Sequence, residues 1–236
     1  GIVGPSGSGK STIVLLLLKF YRPLTGVITL DGVDIQTLDT LWLRQNIGWI
    51  NQEALFSGTV AENIAYGLPT PESEEDTRDK VMRAAKEANA HTFITALEKG
   101  YDAEVGEKGS LLSAGQKQRI VIARALVRNP RFLLSDEATS ALDNQTEAVI
   151  QETLDRVTAR VTSIVIAHRL RTLEKSTRIL VMQHGVLIQS GTHLELMDDK
   201  DGLYFTLASH PEDVKVSDEV VSEASDSSSD SDSSSE

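Results

Sequence analysis

Cysteine is absent from this chain of 236 residues, and so is any long run of apolar residues. Without cysteine the chain forms neither disulfide bonds nor cysteine-ligated zinc sites, and its composition fits a reducing compartment. The longest purely aliphatic run covers residues 13–18 and ends at Lys19. A membrane-spanning helix needs about 20 mostly apolar residues. We therefore expect no membrane span within this chain.

Basic residues are scarce relative to acidic ones, and the imbalance is concentrated at one end. The formal net charge is −12. Residues 210–236 contain nine acidic residues and one lysine, which is −8 of that total and leaves −4 for residues 1–209. An acidic chain of this kind argues against a nucleic-acid-binding surface.

The acidic end also has a biased composition. Half of the residues from Ser217 onward are serine, and most of the others are acidic. Such a segment has too little apolar surface to offset the entropy of ordering it, so residues 210–236 are expected to be a disordered tail or linker. A second interpretation is a regulatory segment that acid-directed kinases phosphorylate at several serines.

Strand patterns alternate with helix patterns through residues 1–209, which predicts an α/β domain with a mainly parallel sheet. Turn signals at Asp31-Gly32 and His184-Gly185 predict antiparallel hairpins. Strands are predicted at residues 27–30, 132–134, 163–167, 178–182 and 186–189. Helices are predicted at residues 10–20 and 144–157, and another is expected to begin after Ser113 and to stop before Pro130.

The block from about residue 71 to residue 129 has helix signals and little strand signal, and it is predicted to be a helical insertion. Val81, Ala84, Ala85 and Ala88 recur at i, i+3, i+4 and i+7, the spacing of one face of an amphipathic helix.

A glycine-rich segment opens the chain directly after an apolar pair. Residues 4–11 fit the pattern G-x-x-x-x-G-K-[ST], in which glycines let backbone N–H groups turn toward one phosphate. Lys10 supplies a charge for the β- and γ-phosphates, and the Ser11 hydroxyl is a ligand for Mg²⁺. The alternative, a chance glycine turn, is disfavoured because the loop follows an apolar pair and opens a helix, which is the context that the motif requires. The predicted nucleotide-binding residues are Gly4, Pro5, Ser6, Gly7, Ser8, Gly9, Lys10, Ser11 and Thr12.

Two carboxylates, Asp136 and Glu137, follow a second apolar strand. Beside a P-loop, a carboxylate at the end of a buried strand holds Mg²⁺, usually through water, and Asp136 is predicted to do so. Glu137 is then placed to polarise an attacking water. An Asp-Glu pair alone indicates a solvated strand end, but the P-loop favours the catalytic interpretation.

The segment Leu112-Ser113-Ala114-Gly115-Gln116 opens a helix with a serine cap and a pair of small residues. Free N–H groups at a helix N-terminus and the Ser113 hydroxyl suit a phosphate. From these residues alone, an ordinary capped helix start is the favoured interpretation.

Taken in order, these motifs resemble the nucleotide-binding domain of the ABC transporter family from Gly1 to about Ser209. Residues 4–11 are similar to its Walker A motif, residues 112–116 to its signature LSGGQ and residues 133–137 to its Walker B motif. Residues 50–53 resemble the Q-loop, residues 140–143 the D-loop and residues 166–169 the switch-histidine segment. The resemblance implies that Gln52 contacts Mg²⁺ and the attacking water, that Asp143 belongs to a dimer contact and that His168 bridges to the γ-phosphate.

The resemblance also implies a fold and an assembly. The expected fold is a P-loop NTPase core of α/β class, with a mainly parallel sheet, antiparallel β elements and a helical subdomain at about residues 71–129. Two such domains would face head to tail, so that ATP and Mg²⁺ on one domain are completed by the signature of the other. ATP hydrolysis would power export through transmembrane domains, which places the chain on the cytosolic face of a membrane.

Finer matches point to exporters of the multidrug-resistance group. Residues 53–64 and 104–109 resemble that group, and the second stretch is similar to its loop that contacts the transmembrane domains. Ala54 stands where proline is usual, Ser135 replaces an aliphatic residue, and Ala114 replaces the first signature glycine, which adds a Cβ near the expected γ-phosphate. The family's adenine-stacking aromatic residue precedes the P-loop, so the chain is expected to be a fragment without its first strands.

Three alternatives to an exporter motor stay open. The first is an ABC domain that binds ATP, hydrolyses it weakly and acts as a regulatory module. The second is a soluble ABC ATPase of DNA repair or translation. The third is a truncated product without function. Ala114 favours weak hydrolysis, whereas Glu137 and His168 argue against it. Residues 104–109 argue against the soluble ATPase.

Overall fold

The computed structural model describes residues 1–51, 55–69, 73–139, 142–167 and 169–209. The chain forms two compact units. The first consists of Gly1–Lys10 and His168–Glu236, and the second of Ser11–Ala167.

A parallel sheet forms one layer of the second unit. Its strands are β4 (Ile47–Ile50), β5 (Phe132–Asp136) and β6 (Thr162–Ile166), with β5 in the middle. Leu133 and Leu134 of β5 are buried, as expected for a parallel strand that is covered on both faces.

A two-stranded antiparallel hairpin joins β2 (Thr29–Leu30) to β3 (Val33–Asp34) in the same unit. Asp31 and Gly32 form its turn with φ angles of 49° and 81°. The type I′ turn, whose twist matches that of the two strands, requires a positive φ at both central residues. An Asp-Gly pair adopts these angles with little strain.

Helices supply the rest of the second unit, and side-chain caps define where several of them begin. The side chains of Asp39, Thr59, Ser73, Ser113 and Asp143 each accept a hydrogen bond from the N–H three residues further on. Such a cap stabilises a helix by about 1 kcal/mol. The helices are α1 (Lys10–Leu17), α2 (Thr40–Asn46), α3 (Val60–Ala65), α4 (Glu74–Glu87), α5 (His91–Ala96), α6 (Ala114–Leu126) and α7 (Asn144–Thr158).

Apolar faces of α3, α4, α6 and α7 meet in one core with β5. Each large aliphatic side chain buried there contributes about 1.5–3 kcal/mol to folding. Fully buried members of this core include Ile64, Ile94, Ile120, Ile122, Leu133 and Ile150.

The first unit contains the strand that leads into the glycine-rich loop. β1 (Ile2–Val3) runs parallel to β7 (Ile179–Gln183), and β7 pairs antiparallel with β8 (Val186–Gly191). Helices α8 (His193–Asp198) and α9 (Leu203–Ser209) follow. The buried Tyr204 hydroxyl lies 2.9 Å from His193 Nδ1, which fastens α9 to α8.

The predicted α/β class, with a mainly parallel sheet, antiparallel β elements and helices, is confirmed. Both hairpin turns lie where Asp31-Gly32 and His184-Gly185 predict them. The helix predicted at residues 10–20 ends instead at Leu17, because Lys19 takes a left-handed φ of 55° and closes the helix. The strand predicted at residues 27–30 is limited to Thr29–Leu30.

Several short elements were not predicted: β4, α2, α3, α8 and α9, none longer than seven residues. Within the predicted helical insertion, α4 buries Val81, Ala84 and Ala85, so its predicted apolar face is confirmed. Across the described residues, every helix is too short or too polar to serve as a membrane span.

Candidate functional site

The glycine-rich loop is held in shape by the first unit. A Cβ atom on Gly4 would overlap the carbonyl oxygen of Met182, so only glycine lets the chain leave β1 at this point. The Ser8 N–H donates to the Pro5 carbonyl at 3.2 Å, and the Ser8 carbonyl accepts from the Gly185 N–H at 3.1 Å. The loop is therefore supported by its own backbone and by the β7–β8 turn.

Lys10 and Ser8 place polar atoms at this loop. The Lys10 Nζ donates to the carbonyls of Gly4 at 3.0 Å and Pro5 at 2.9 Å, and the residue is 6% exposed. The Ser8 Oγ is buried and has no hydrogen-bond partner among the described residues. Gly9 has a φ of 93°, which glycine adopts readily. A loop that buries both an ammonium group and an unsatisfied hydroxyl fits an anionic ligand such as a phosphate chain.

Other predicted nucleotide-binding residues face solvent. Ser6 and Gly7 are exposed at the tip of the loop, and Ser11 and Thr12 are exposed in the first turn of α1. These four residues are therefore accessible to a ligand. The N-terminal end of α1 adds the partial positive charge of its backbone dipoles.

The two predicted carboxylates lie at the carboxyl end of β5 in the second unit. Asp136 is in register with Ile166 of β6, and the Glu137 N–H donates to the Ile166 carbonyl at 3.0 Å. Glu137 has a φ of 52°, a left-handed conformation that costs a non-glycine residue about 1–2 kcal/mol. Backbone strain of this kind clusters at functional sites. Ser135, the departure from the family pattern, is buried within β5.

The segment at the start of α6 forms a complete capping box. The Ser113 Oγ accepts from the Gln116 N–H at 3.3 Å, and the Gln116 Oε1 accepts from the Ser113 N–H at 2.9 Å. Leu112 is buried and anchors the start of the helix, whereas Ala114 is exposed. Ala114 is therefore accessible to solvent at the start of α6.

Gly115 brings the starts of α6 and α7 together. A Cβ atom on Gly115 would overlap the Cγ2 methyl of Thr146, so this position has no room for a larger residue. The Asp143 Oδ2 accepts from the Thr146 N–H at 3.0 Å and caps α7. Arg119 donates to the Gly115 carbonyl at 3.2 Å, and burial lowers the pKa of its guanidinium from the usual value.

Several predicted positions fall outside the described residues. These are Gln52, His168 and the D-loop pair Ser140-Ala141, together with Ala54 of the exporter-like stretch. Their roles stay predictions. In the described part of the D-loop, Leu142 is buried and Asp143 is exposed.

An open groove of about 1330 Å³ lies in the second unit and was missed by the sequence reasoning. Leu41 and Tyr66, which are 65% and 66% exposed, contribute to its apolar lining. The groove also borders Asp102, close to the exporter-like stretch at residues 104–109, and Glu104 forms a β-bridge with the lining residue Thr59. Its charged lining residues are Glu62, Glu74, Glu75, Asp102, Arg78 and Arg128. No periodic signal marks this groove, because its residues come from distant parts of the chain.

Known proteins are similar to this chain in sequence and in fold. A family model described as ABC transporter matches residues 1–140. The chain is 53% identical over 204 residues to ATP-binding cassette sub-family B member 10, mitochondrial, of Mus musculus. The aligned region covers 86% of this chain and 28% of that protein. It is 51% identical over 230 residues to the ABC multidrug transporter MDR2 of Trichophyton interdigitale (strain MR816). That aligned region covers 95% of this chain and 17% of the relative.

Among solved structures, a bacterial Atm1-family ABC exporter with ATP bound matches with a TM-score of 0.80 and 47% identity. The match covers 89% of this chain and 36% of that chain. The chain thus spans less than a third of the length of these two curated relatives.

Proposed function

The chain belongs to the ABC transporter family, and on that premise we propose that it binds and hydrolyses ATP to power export across a membrane, as the motor domain of an ABC exporter. One observation carries the proposal: the glycine-rich loop buries both the Lys10 ammonium group and a Ser8 hydroxyl that has no hydrogen-bond partner among the described residues. An ammonium group and a hydroxyl group can both donate hydrogen bonds to the phosphate chain of a nucleotide. The exporter relatives support the transport role.

Catalysis in such a site consists mainly of positioning and charge stabilisation. The positive charge of Lys10 would stabilise the negative charge on the β- and γ-phosphates. Glu137 would accept the proton of the attacking water, and His168 would contact the γ-phosphate. Mg²⁺, when bound by Ser11, Gln52 and Asp136, would neutralise phosphate charge.

The proposed active unit is a head-to-tail pair of such domains. The nucleotide on one domain would meet the signature of the other, namely Leu112, Ser113, Ala114, Gly115 and Gln116. Asp143 would lie at the contact between the two domains. The exposure of Ser113 and Ala114 is compatible with this arrangement.

The second proposed partner is the transmembrane part of the same transporter. Its cytosolic segment would enter the groove lined by Leu41 and Tyr66 and would contact residues 104–109. Because four carboxylates and two arginines line the groove, a segment with apolar and basic residues is the expected occupant. The chain would then lie on the cytosolic face of that membrane.

Nucleotide titration tests the binding step directly. Lys10→Ala should remove most of the affinity for Mg-ATP, because the charge beside the phosphates is lost. Lys200→Ala is the matched control, since Lys200 is an exposed lysine of the same unit. Unchanged affinity in Lys10→Ala would contradict the assignment of the loop.

A second candidate function is an ATP-binding regulatory module with weak hydrolysis. The exposed Ala114 favours it, because its methyl group occupies space near the expected γ-phosphate of the partner site. Under this alternative, Ala114→Gly should raise the ATP turnover of the full-length protein several-fold. Equal turnover of the two forms would favour the motor function.

A further inference from the structure

The side chain of Asn63 in α3 uses all of its hydrogen-bonding positions, and three of the four bonds go to the backbone of Phe56 and Thr59. Asn63 is 2% exposed. Its Oδ1 accepts from the Phe56 N–H at 2.9 Å and from Arg124 Nη2 at 2.7 Å, and its Nδ2 donates to the carbonyls of Phe56 and Thr59, both at 2.9 Å. An asparagine amide has two donors and two acceptor positions, so all four are used.

Arg124 connects Asn63 to α6. Its Nε donates to the Asn63 carbonyl at 2.8 Å, while Nη2 holds the Asn63 amide oxygen. The guanidinium lies over the rings of Phe56 and Tyr66, at 4.7 and 5.9 Å from their centroids. Lysine cannot reproduce this planar fork and stacking.

The chain on the other side of residues 52–54 is also bound to α6. Gln118, which is 8% exposed, donates from Nε2 to the Asn51 carbonyl at 3.4 Å. Residue 51 is thus held by α6 directly, and Phe56 is held through Asn63 and Arg124. The same helix begins at the proposed signature, residues 112–116.

We propose that Asn63 and Arg124 are positioning residues for ATP hydrolysis. They fix the chain that follows Gln52 to the helix that starts at the signature, so that these two parts of the site move together. This inference rests on the proposed function, and it requires neither residue to touch the nucleotide. Breaking the link should slow hydrolysis and spare nucleotide binding, because small misplacements of catalytic groups cost up to about 10²-fold in rate.

Arg124→Met in the full-length protein tests this role, and Arg44→Met is its matched control. Arg44 also donates to backbone carbonyls, at 2.9 Å to that of Leu18, and its guanidinium also lies over a phenylalanine ring, at 4.4 Å from the Phe20 centroid. Both variants should lower the melting temperature similarly. Only Arg124→Met should reduce kcat, by about 10-fold or more, with the Kd for Mg-ATP within about 2-fold of the wild type.

Hydrogen exchange gives a readout that does not depend on activity. Amides in residues 55–58 should exchange faster in Arg124→Met than in Arg44→Met, when the two variants are compared at equal global stability. Asn63→Asp is the conservative second variant: it keeps both acceptor positions and loses the two donated hydrogen bonds. Its kcat should lie between those of the wild type and Arg124→Met.

Two results would overturn the positioning role. One is an equal fall of kcat in both arginine variants, and the other is a loss of ATP affinity with kcat unchanged in Arg124→Met. Wild-type protein that binds no ATP, or hydrolyses none, would instead contradict the proposed function itself.

Discussion

Replacing Gly115 with alanine is expected to destabilise the second unit, because the new methyl group has no room. The added Cβ would overlap Thr146 Cγ2, whereas it would lie 3.5 Å from Thr146 Cβ and 3.6 Å from Thr146 Oγ1. The last two are ordinary contact distances, so the conflict is confined to one methyl group. Overpacking of a well-packed site costs about 1–3 kcal/mol.

Thermal melting measures this cost. For a chain of this size, about 1 kcal/mol corresponds to a shift of about 2–4 °C in Tm, so Gly115→Ala should lower Tm by several degrees. Thr146→Ser removes the offending methyl and keeps the hydroxyl, and the backbone N–H that donates to Asp143 Oδ2 at 3.0 Å is unaffected. The double variant should therefore recover much of the lost stability, with a coupling energy of about 0.5–3 kcal/mol.

The single variant Thr146→Ser completes the cycle and reports the cost of losing the methyl by itself. If Gly115→Ala melted at the same temperature as the wild type, the expected steric overlap between the starts of α6 and α7 would be refuted. Additive effects in the double variant would show that the cost of Gly115→Ala has another origin.

Three further outcomes are expected. Glu137→Gln in the full-length protein should bind ATP normally but turn it over about 10²–10⁴-fold more slowly, because the proposed general base is lost; wild-type phosphate release would place the base elsewhere. Because Glu137 has a φ of 52°, Glu137→Gly should melt above Glu137→Ala by the equivalent of about 1–2 kcal/mol, and the reverse order would show that the backbone is relaxed. Deleting residues 210–236 should leave ATP affinity unchanged in a titration, because every predicted site residue precedes them; a large loss would assign that segment to the site.

Local signals in the sequence predicted the parts of the fold that local chemistry decides. Ser113 caps α6 as its position before a helical pattern indicates, and Val81, Ala84 and Ala85 form the buried face of α4. The end of α1 was not predictable in this way, because Lys19 occupies a left-handed position that glycine usually fills.

Tertiary contacts decide what the sequence reasoning missed. Glu137 has a left-handed backbone and donates its N–H to β6, and the lack of room at Gly115 comes from a side chain of α7. Asn63 and Arg124 are separated by 61 positions, so no motif connects them. Such pairings become visible only when the helices have been packed together.

Phosphate release by the full-length protein in lipid vesicles shows whether the proposed ATP-driven motor function is correct. Mg-ATP should support steady phosphate release by the wild type and by Lys200→Ala. Lys10→Ala and Glu137→Gln should lose nearly all of this activity. Equal phosphate release by all four proteins would rule out the proposed motor function.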